Sequence, residues 1–184
     1  LPLPGSPAGS ICITCSADPL PVAWSEAWGE YRDALEAVLH AFKFDRHDFL
    51  DDPLAALMEE CWRTRGDAAF DAVVPVPMFR SKQRRRGYNQ AELLGRALAR
   101  RIGVRFEPSL LAKNEERQTQ STLARAQRAA NVRGVFAASG EAKGRSVLIV
   151  DDVSTTGETF RACAGALLQR GASRVAAMAV AKAT

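Results

Sequence analysis

The chain is short of cysteine and aromatic residues, and it has no long apolar run. Four cysteines stand among 184 residues, and only Cys12 and Cys15 are close together. Cys61 and Cys163 each fall inside an apolar helical pattern, where a thiol behaves as a small hydrophobe. That usage excludes a disulfide-dense secreted scaffold and predicts a reducing, cytoplasmic setting. No apolar stretch approaches the roughly 20 residues a membrane helix needs, so no membrane insertion is expected. No basic-then-apolar leader opens the chain, and its first residue is Leu1 rather than Met, as in a piece of a longer protein. Charge of one sign is not in excess either. The 25 Lys and Arg residues against 21 Asp and Glu leave a net charge of +4, so composition names no polyanionic partner and the placement of the basic residues carries more.

The residues that are there divide the chain into three. Residues 1–24 are rich in Pro, Gly and Ser without periodicity, an irregular segment. In "SEAWGEYRDALEAVLHAFKF", from Ser25, the apolar residues Trp28, Tyr31, Leu35, Val38, Leu39 and Phe42 have the spacing of an amphipathic helix. "DPLAALMEECWRTR" predicts a second helix, with Asp52 as N-cap, Pro53 at its first position and Gly66 as the stop. Residues 25–70 are therefore expected to form a helical subdomain. From residue 71 to 184 the rhythm is strand, helix, strand. "AVVPV", "SVLIVD" and "RVAAMAVA" are short buried strands, "VRF" is a candidate for another, and "NQAELLGRALARRI" and "TFRACAGALLQRG" are helices. The fold class is α/β, a parallel sheet with flanking helices.

The chemistry concentrates in "VLIVDDVSTTGET", Val147 to Thr159. In open parallel sheets ligands bind beyond the carboxyl ends of the strands, where Asp151 and Asp152 fall. Ser154, Thr155, Thr156 and Gly157 then turn into a helix, whose N-terminus offers unpaired N–H groups and a positive dipole end suited to phosphate. The hydroxyl of Thr159 adds a donor. Carboxylates would repel phosphate, but they accept hydrogen bonds from sugar hydroxyls or hold a hydrated Mg²⁺. A ribose 5-phosphate with a vicinal diol satisfies both halves. The plain alternative is that the acids cap the helix. "VLIVDD" also resembles the first strand of response-regulator receivers, but such a domain needs on the order of 100 further residues after the pair and the sequence stops at Thr184.

The stretch resembles the phosphoribosyl diphosphate (PRPP) motif of type I phosphoribosyltransferases. The likeness extends to the ComF/GntX-like competence family through "VVPVPMFRSKQRRRGYNQAELLGRALA", "RQTQSTLARAQRAANVRGVF" and the helix-end "LHAFKF". The resemblance implies that Asp151 and Asp152 hold the ribose hydroxyls, with Mg²⁺ arriving on PRPP, and that Ser154, Thr155, Thr156, Gly157, Glu158 and Thr159 wrap the 5-phosphate. In that cradle Glu158 would serve through its backbone N–H, its carboxylate turned away and favourable to the helix dipole. The basic loop "RSKQRRRGYNQ" would face the pyrophosphate. Arg80, Lys82, Arg84, Arg85 and Arg86 suit bidentate phosphate contacts, and they suit a nucleic-acid backbone equally well. Asn89 and Gln90 match the family pattern, and Asn89 also reads as an ordinary N-cap. Arg117, Gln118 and Gln120 fall where relatives carry a mobile loop.

"CITC" has the spacing of half a zinc site and resembles the second cysteine pair of a ribbon at the front of ComF proteins. With its first pair expected before Leu1, zinc is not expected in this chain. Two functions follow from the resemblance. One is a PRPP-using, Mg²⁺-dependent phosphoribosyltransferase linked to natural transformation and DNA uptake. The other is a non-catalytic module on the same fold that binds single-stranded DNA through the basic loop, although the sequence shows no clustered aromatics beside that loop for stacking bases.

Overall fold

The computed structural model describes residues 19–44, 47–66, 70–114 and 134–183. Among them, five strands form one parallel sheet in the order β1-β7-β6-β2-β3. They are β1 (Ser25–Glu30), β2 (Ala72–Pro75), β3 (Arg105–Phe106), β6 (Ser146–Ser154) and β7 (Arg174–Lys182). A separate antiparallel pair joins β4 (Leu111–Lys113) to β5 (Phe136–Ala138). The helices are α1 (Asp33–Phe44), α2 (Asp51–Arg65), α3 (Arg80–Arg86), α4 (Gln90–Ile102) and α5 (Glu158–Gln169).

Burial on both faces makes the central strands almost continuously apolar. Side chains alternate across a strand, so neighbouring residues of β6 serve different cores. Val147 and Ile149 pack with Phe160, Cys163 and Leu167 of α5 and with Leu111 and Phe136 of the β4–β5 pair. Leu148 and Val150 pack with Leu39 and Phe42 of α1, Met58 of α2 and Leu94 and Leu98 of α4. Each such side chain taken fully out of water stabilises the fold by roughly 1.5–3 kcal/mol. The expected parallel sheet with helices on both faces is therefore present.

Three readings of local structure are corrected. The opening "SEAWGE" of "SEAWGEYRDALEAVLHAFKF" is a strand, not a helix: β1 pairs in parallel with β7 from Ser25↔Ala177 to Glu30↔Lys182. Trp28 and Tyr31 have helical spacing, but the open edge of β7 supplies hydrogen bonds that local periodicity does not register. Trp28 is held from outside the strand, its Nε1 donating to Glu60 Oε2 of α2 at 2.9 Å. The residues read as a basic loop form α3, closed by Gly87 in the left-handed region at φ 96°, whose N–H donates to Gln83 O. The helix expected to be capped by Asp52 begins at Asp51 instead, with Leu50 at the cap position and Gly66 ending it as expected.

The amino ends of the strands are tied by polar bonds. Asp71 Oδ2 accepts from the N–H of Ser146 at 2.7 Å and from its hydroxyl at 2.8 Å. Arg145 grips Glu107 through both terminal nitrogens. The open depression among Asp71, Arg105, Lys143 and Arg145 belongs to this network and lies at the end of the sheet away from the acidic pair. Among the described residues no helix is long and apolar enough to cross a membrane.

Candidate functional site

Strand order reverses between β2 and β6: β2 continues through α4 to β3 on one side, and β6 through α5 to β7 on the other. Such a reversal opens a crevice at the carboxyl ends of the two strands. Asp151 and Asp152 are the residues β6 delivers there. Both carboxylates are oriented by the backbone that follows them. Asp151 Oδ1 accepts from the N–H of Asp152 at 2.9 Å, and Asp152 Oδ1 accepts from the N–H of Val153 at 2.8 Å.

The two acids differ in their surroundings. Asp152 is buried and its Oδ2 meets Lys43 Nζ at 3.0 Å. Asp151 lines the cavity that runs along the following turn. Withdrawal from water pushes the Asp151 carboxyl well above the usual carboxylate range, and the neighbouring Asp152 charge adds to the effect. The two carboxyls stand side by side, with Lys43 paired to Asp152 and Lys113 acting on Asp151.

The turn supplies the opposite chemistry. Asp151, Ser154, Thr155, Gly157, Glu158 and Thr159 line one cavity. Gly157 takes φ 81° and leads into α5, whose first turn has no side-chain cap, leaving amide donors for an anion. A Cβ at Gly157 would come within 3.1 Å of Leu20 Cδ1 in a strained conformation. Ser154 is 5% exposed, and its Oγ has no hydrogen-bond partner. A buried hydroxyl without a partner costs stability unless something else satisfies it. Thr155 and Thr156 are exposed, and Thr156 Oγ1 lies 3.5 Å from the Glu158 N–H. The Glu158 carboxylate lies 3.5 Å from Arg161 Nε.

The basic segment divides into two parts. Arg80, Lys82, Arg84 and Arg85 are exposed on α3. The residues after them face inward. Arg86 donates to Gln90 Oε1 at 2.6 Å and stacks over Phe44 at 4.9 Å. Asn89 donates to Val76 O at 3.1 Å and caps α4 by accepting from the Ala91 N–H at 3.2 Å. Gln90 Nε2 lies 3.5 Å from Lys43 O.

Two lysines not singled out in the sequence belong to the site. Lys43 comes from the end of α1. The only mark it left was its place in "LHAFKF", because its partner Asp152 is far away in the chain. Lys113 closes β4 with its ammonium 4.2 Å from the Phe79 ring centre and 5.0 Å from that of Phe136. Burial depresses its pKa, nearby Lys82 depresses it further, and Asp151 and Cys163 oppose the shift. Cys12, Cys15, Arg117, Gln118 and Gln120 lie outside the described residues.

Residues 88–183 match the phosphoribosyl transferase domain family. "DNA utilization protein YhgH" of Escherichia coli O6:H1 is 30% identical over 177 residues, 94% of this chain and 78% of that protein. "Competence protein F" of Haemophilus influenzae is 30% identical over 162 residues, 84% of this chain and 71% of that one. Among solved structures, the glutamine PRPP amidotransferase from B. subtilis complexed with ADP and GMP aligns with a TM-score of 0.47 at 22% identity. That alignment covers 71% of this chain and 25% of the other.

Proposed function

The chain belongs to the phosphoribosyl transferase domain family and is related to the competence and DNA-utilization proteins; on that premise we propose that it binds PRPP at the end of β6. The observation that carries the reading is the buried Ser154 hydroxyl without a partner, set between a carboxylate pair and an uncapped helix start. In this reading Asp151 and Asp152 accept from the ribose hydroxyls. Ser154, Thr155 and Thr159 and the amides of α5's first turn take the 5-phosphate, and Arg80, Lys82, Arg84 and Arg85 face the diphosphate.

Among the described residues no three His, Cys, Asp or Glu side chains converge on a metal position. The donor set fits a Mg²⁺ that arrives with its ligand, since that ion keeps most of its ligands from phosphate and water and takes one or two carboxylates from the protein. Mg²⁺ would supply charge neutralisation at the diphosphate. The protein's own part in transfer to an acceptor would be to orient the ribose and stabilise the departing pyrophosphate.

Calorimetric titration of PRPP with and without Mg²⁺, on wild type and on the Asp151→Asn/Asp152→Asn double variant, tests the reading. Binding that needs both the ion and the carboxylates is expected. A folded wild-type protein that does not bind PRPP would falsify it.

One further observation favours contact with single-stranded DNA. Phe44 is 58% exposed and carries the Arg86 guanidinium over its ring, next to the exposed Arg84 and Arg85. The fold thus brings to the basic helix the aromatic ring its own sequence lacks, and a ring beside cations suits a base with its phosphate. Salt-sensitive anisotropy of a labelled oligonucleotide, reduced by Arg84→Ala and Arg85→Ala, is the expected result.

A further inference from the structure

We infer that Lys43 is a positioning residue of the ribose site: it fixes the Asp152 carboxylate for the sugar hydroxyls, and the Arg86–Gln90 segment acts as the clasp that puts it there. The inference rests on the PRPP reading and extends it to a residue from the front of the chain.

The first observation is the way Asp152 is held. Oδ1 accepts from the Val153 N–H at 2.8 Å and Oδ2 from Lys43 Nζ at 3.0 Å. Donors on both oxygens fix the carboxylate plane, and a carboxylate has accepting capacity beyond two donors for a ligand hydroxyl. A carboxylate that need not be reoriented on binding gives tighter and more selective contacts. Lys43 is itself held near the Tyr31 ring, 5.6 Å from its centroid.

The second observation is the clasp. The last carbonyls of a helix lack intrahelical partners, and at the end of α1 one segment supplies their donors. The Tyr88 hydroxyl donates to Phe42 O at 2.5 Å, and Gln90 Nε2 approaches Lys43 O at 3.5 Å. Arg86 stacks on Phe44 and bonds Gln90. Three consecutive residues of α1 are thus gripped from the end of α3, the link that follows it and the start of α4, and the middle one is Lys43. Cations and donors at a helix carboxyl end also complement its dipole.

The test compares wild type, Lys43→Met, Lys43→Arg and Tyr88→Phe by calorimetry with PRPP, and by competition with ribose 5-phosphate, 2-deoxyribose 5-phosphate and inorganic phosphate. Lys43→Met is expected to weaken PRPP about tenfold, the scale of a charge-assisted hydrogen bond. It should also shrink the preference for ribose 5-phosphate over the deoxy sugar and leave inorganic phosphate unchanged. Lys43→Arg should restore most of the loss, and Tyr88→Phe should move the same way by a smaller factor. Equal losses for both sugars and for phosphate would mean that Lys43 only supports the fold. A Lys43→Met protein that binds PRPP and separates the two sugars as wild type does would overturn the inference while leaving the PRPP reading intact. A wild type that binds no sugar phosphate would overturn both.

Discussion

Asn89 joins the end of a strand to the start of a helix: its Nδ2 donates to the Val76 carbonyl at 3.1 Å while its Oδ1 accepts from the Ala91 N–H at 3.2 Å. The residue is 7% exposed, so both bonds are made away from water. Asn89→Ala leaves a buried carbonyl and a helix amide without partners, a loss of about 1–3 kcal/mol. Asn89→Asp keeps the cap but has no donor for Val76, and it should be destabilised as well. Urea unfolding is the check. Variants as stable as wild type would show that these bonds do not hold the loop.

A second prediction concerns acid. Two Ser146 hydrogen bonds, with a smaller push from Arg145, hold the Asp71 carboxyl below its ordinary value, and Arg145 does the same for Glu107. A depressed carboxylate pKa stabilises the folded state above the unfolded value of about 4, and that contribution disappears as pH falls through the lower folded value. Unfolding midpoints should therefore drop as the solution is acidified below about pH 4. Asp71→Asn should lower stability at neutral pH and flatten part of that slope. Asp71 is exposed, so its share is small. A variant with the wild-type acid profile would place the acid sensitivity elsewhere.

The parallel sheet, the acidic pair and the phosphate turn were legible because their signals are local: a buried run of four, two acids, then hydroxyls and a glycine. What the sequence hid depends on partners distant in the chain. β1 is a strand because β7 offers an edge, a fact absent from "SEAWGE". The basic residues followed by Asn89 and Gln90 read as one patch. The structure separates an exposed row of cations from an inward-facing row that bonds to α1 and to Val76, just past β2. Lys43 and Lys113 drew no notice because a lysine at the end of an apolar segment resembles any other lysine until the fold sets it beside a carboxylate.

The cysteines give a third prediction. Burial, aided by Glu26 and Glu60, pushes the Cys61 thiol up to about 11, and deeper burial beside Asp151 pushes Cys163 higher still. The thiolate is the nucleophile, so both should resist iodoacetamide at pH 8 in the folded protein and react once urea unfolds it. Peptide mapping resolves these positions from Cys12 and Cys15. Rapid labelling of Cys163 under native conditions would mean that α5 opens readily from the sheet.

The Asp151 carboxyl should oppose folding while serving the ligand. Its folded pKa is raised by burial and by Asp152, so the native state binds a proton more tightly than the unfolded chain does. Stability then falls as pH rises from the unfolded value of about 4 through the folded one. Asp151→Asn removes this cost, and its amide oxygen can still accept from the Asp152 N–H as the carboxylate does. The variant should melt a few degrees above wild type at pH 8, since about 1 kcal/mol shifts a domain of this size by roughly 2–4 °C. The difference should close toward pH 4, where wild-type Asp151 is protonated. PRPP binding, on the proposed reading, should weaken in the same variant. Calorimetric melting at several pH values, run beside the ligand titration, separates the two effects. A melting temperature at or below wild type throughout would show that Lys43 and the local amides already balance both charges, and that the pair is no store of repulsion for a ligand to relieve.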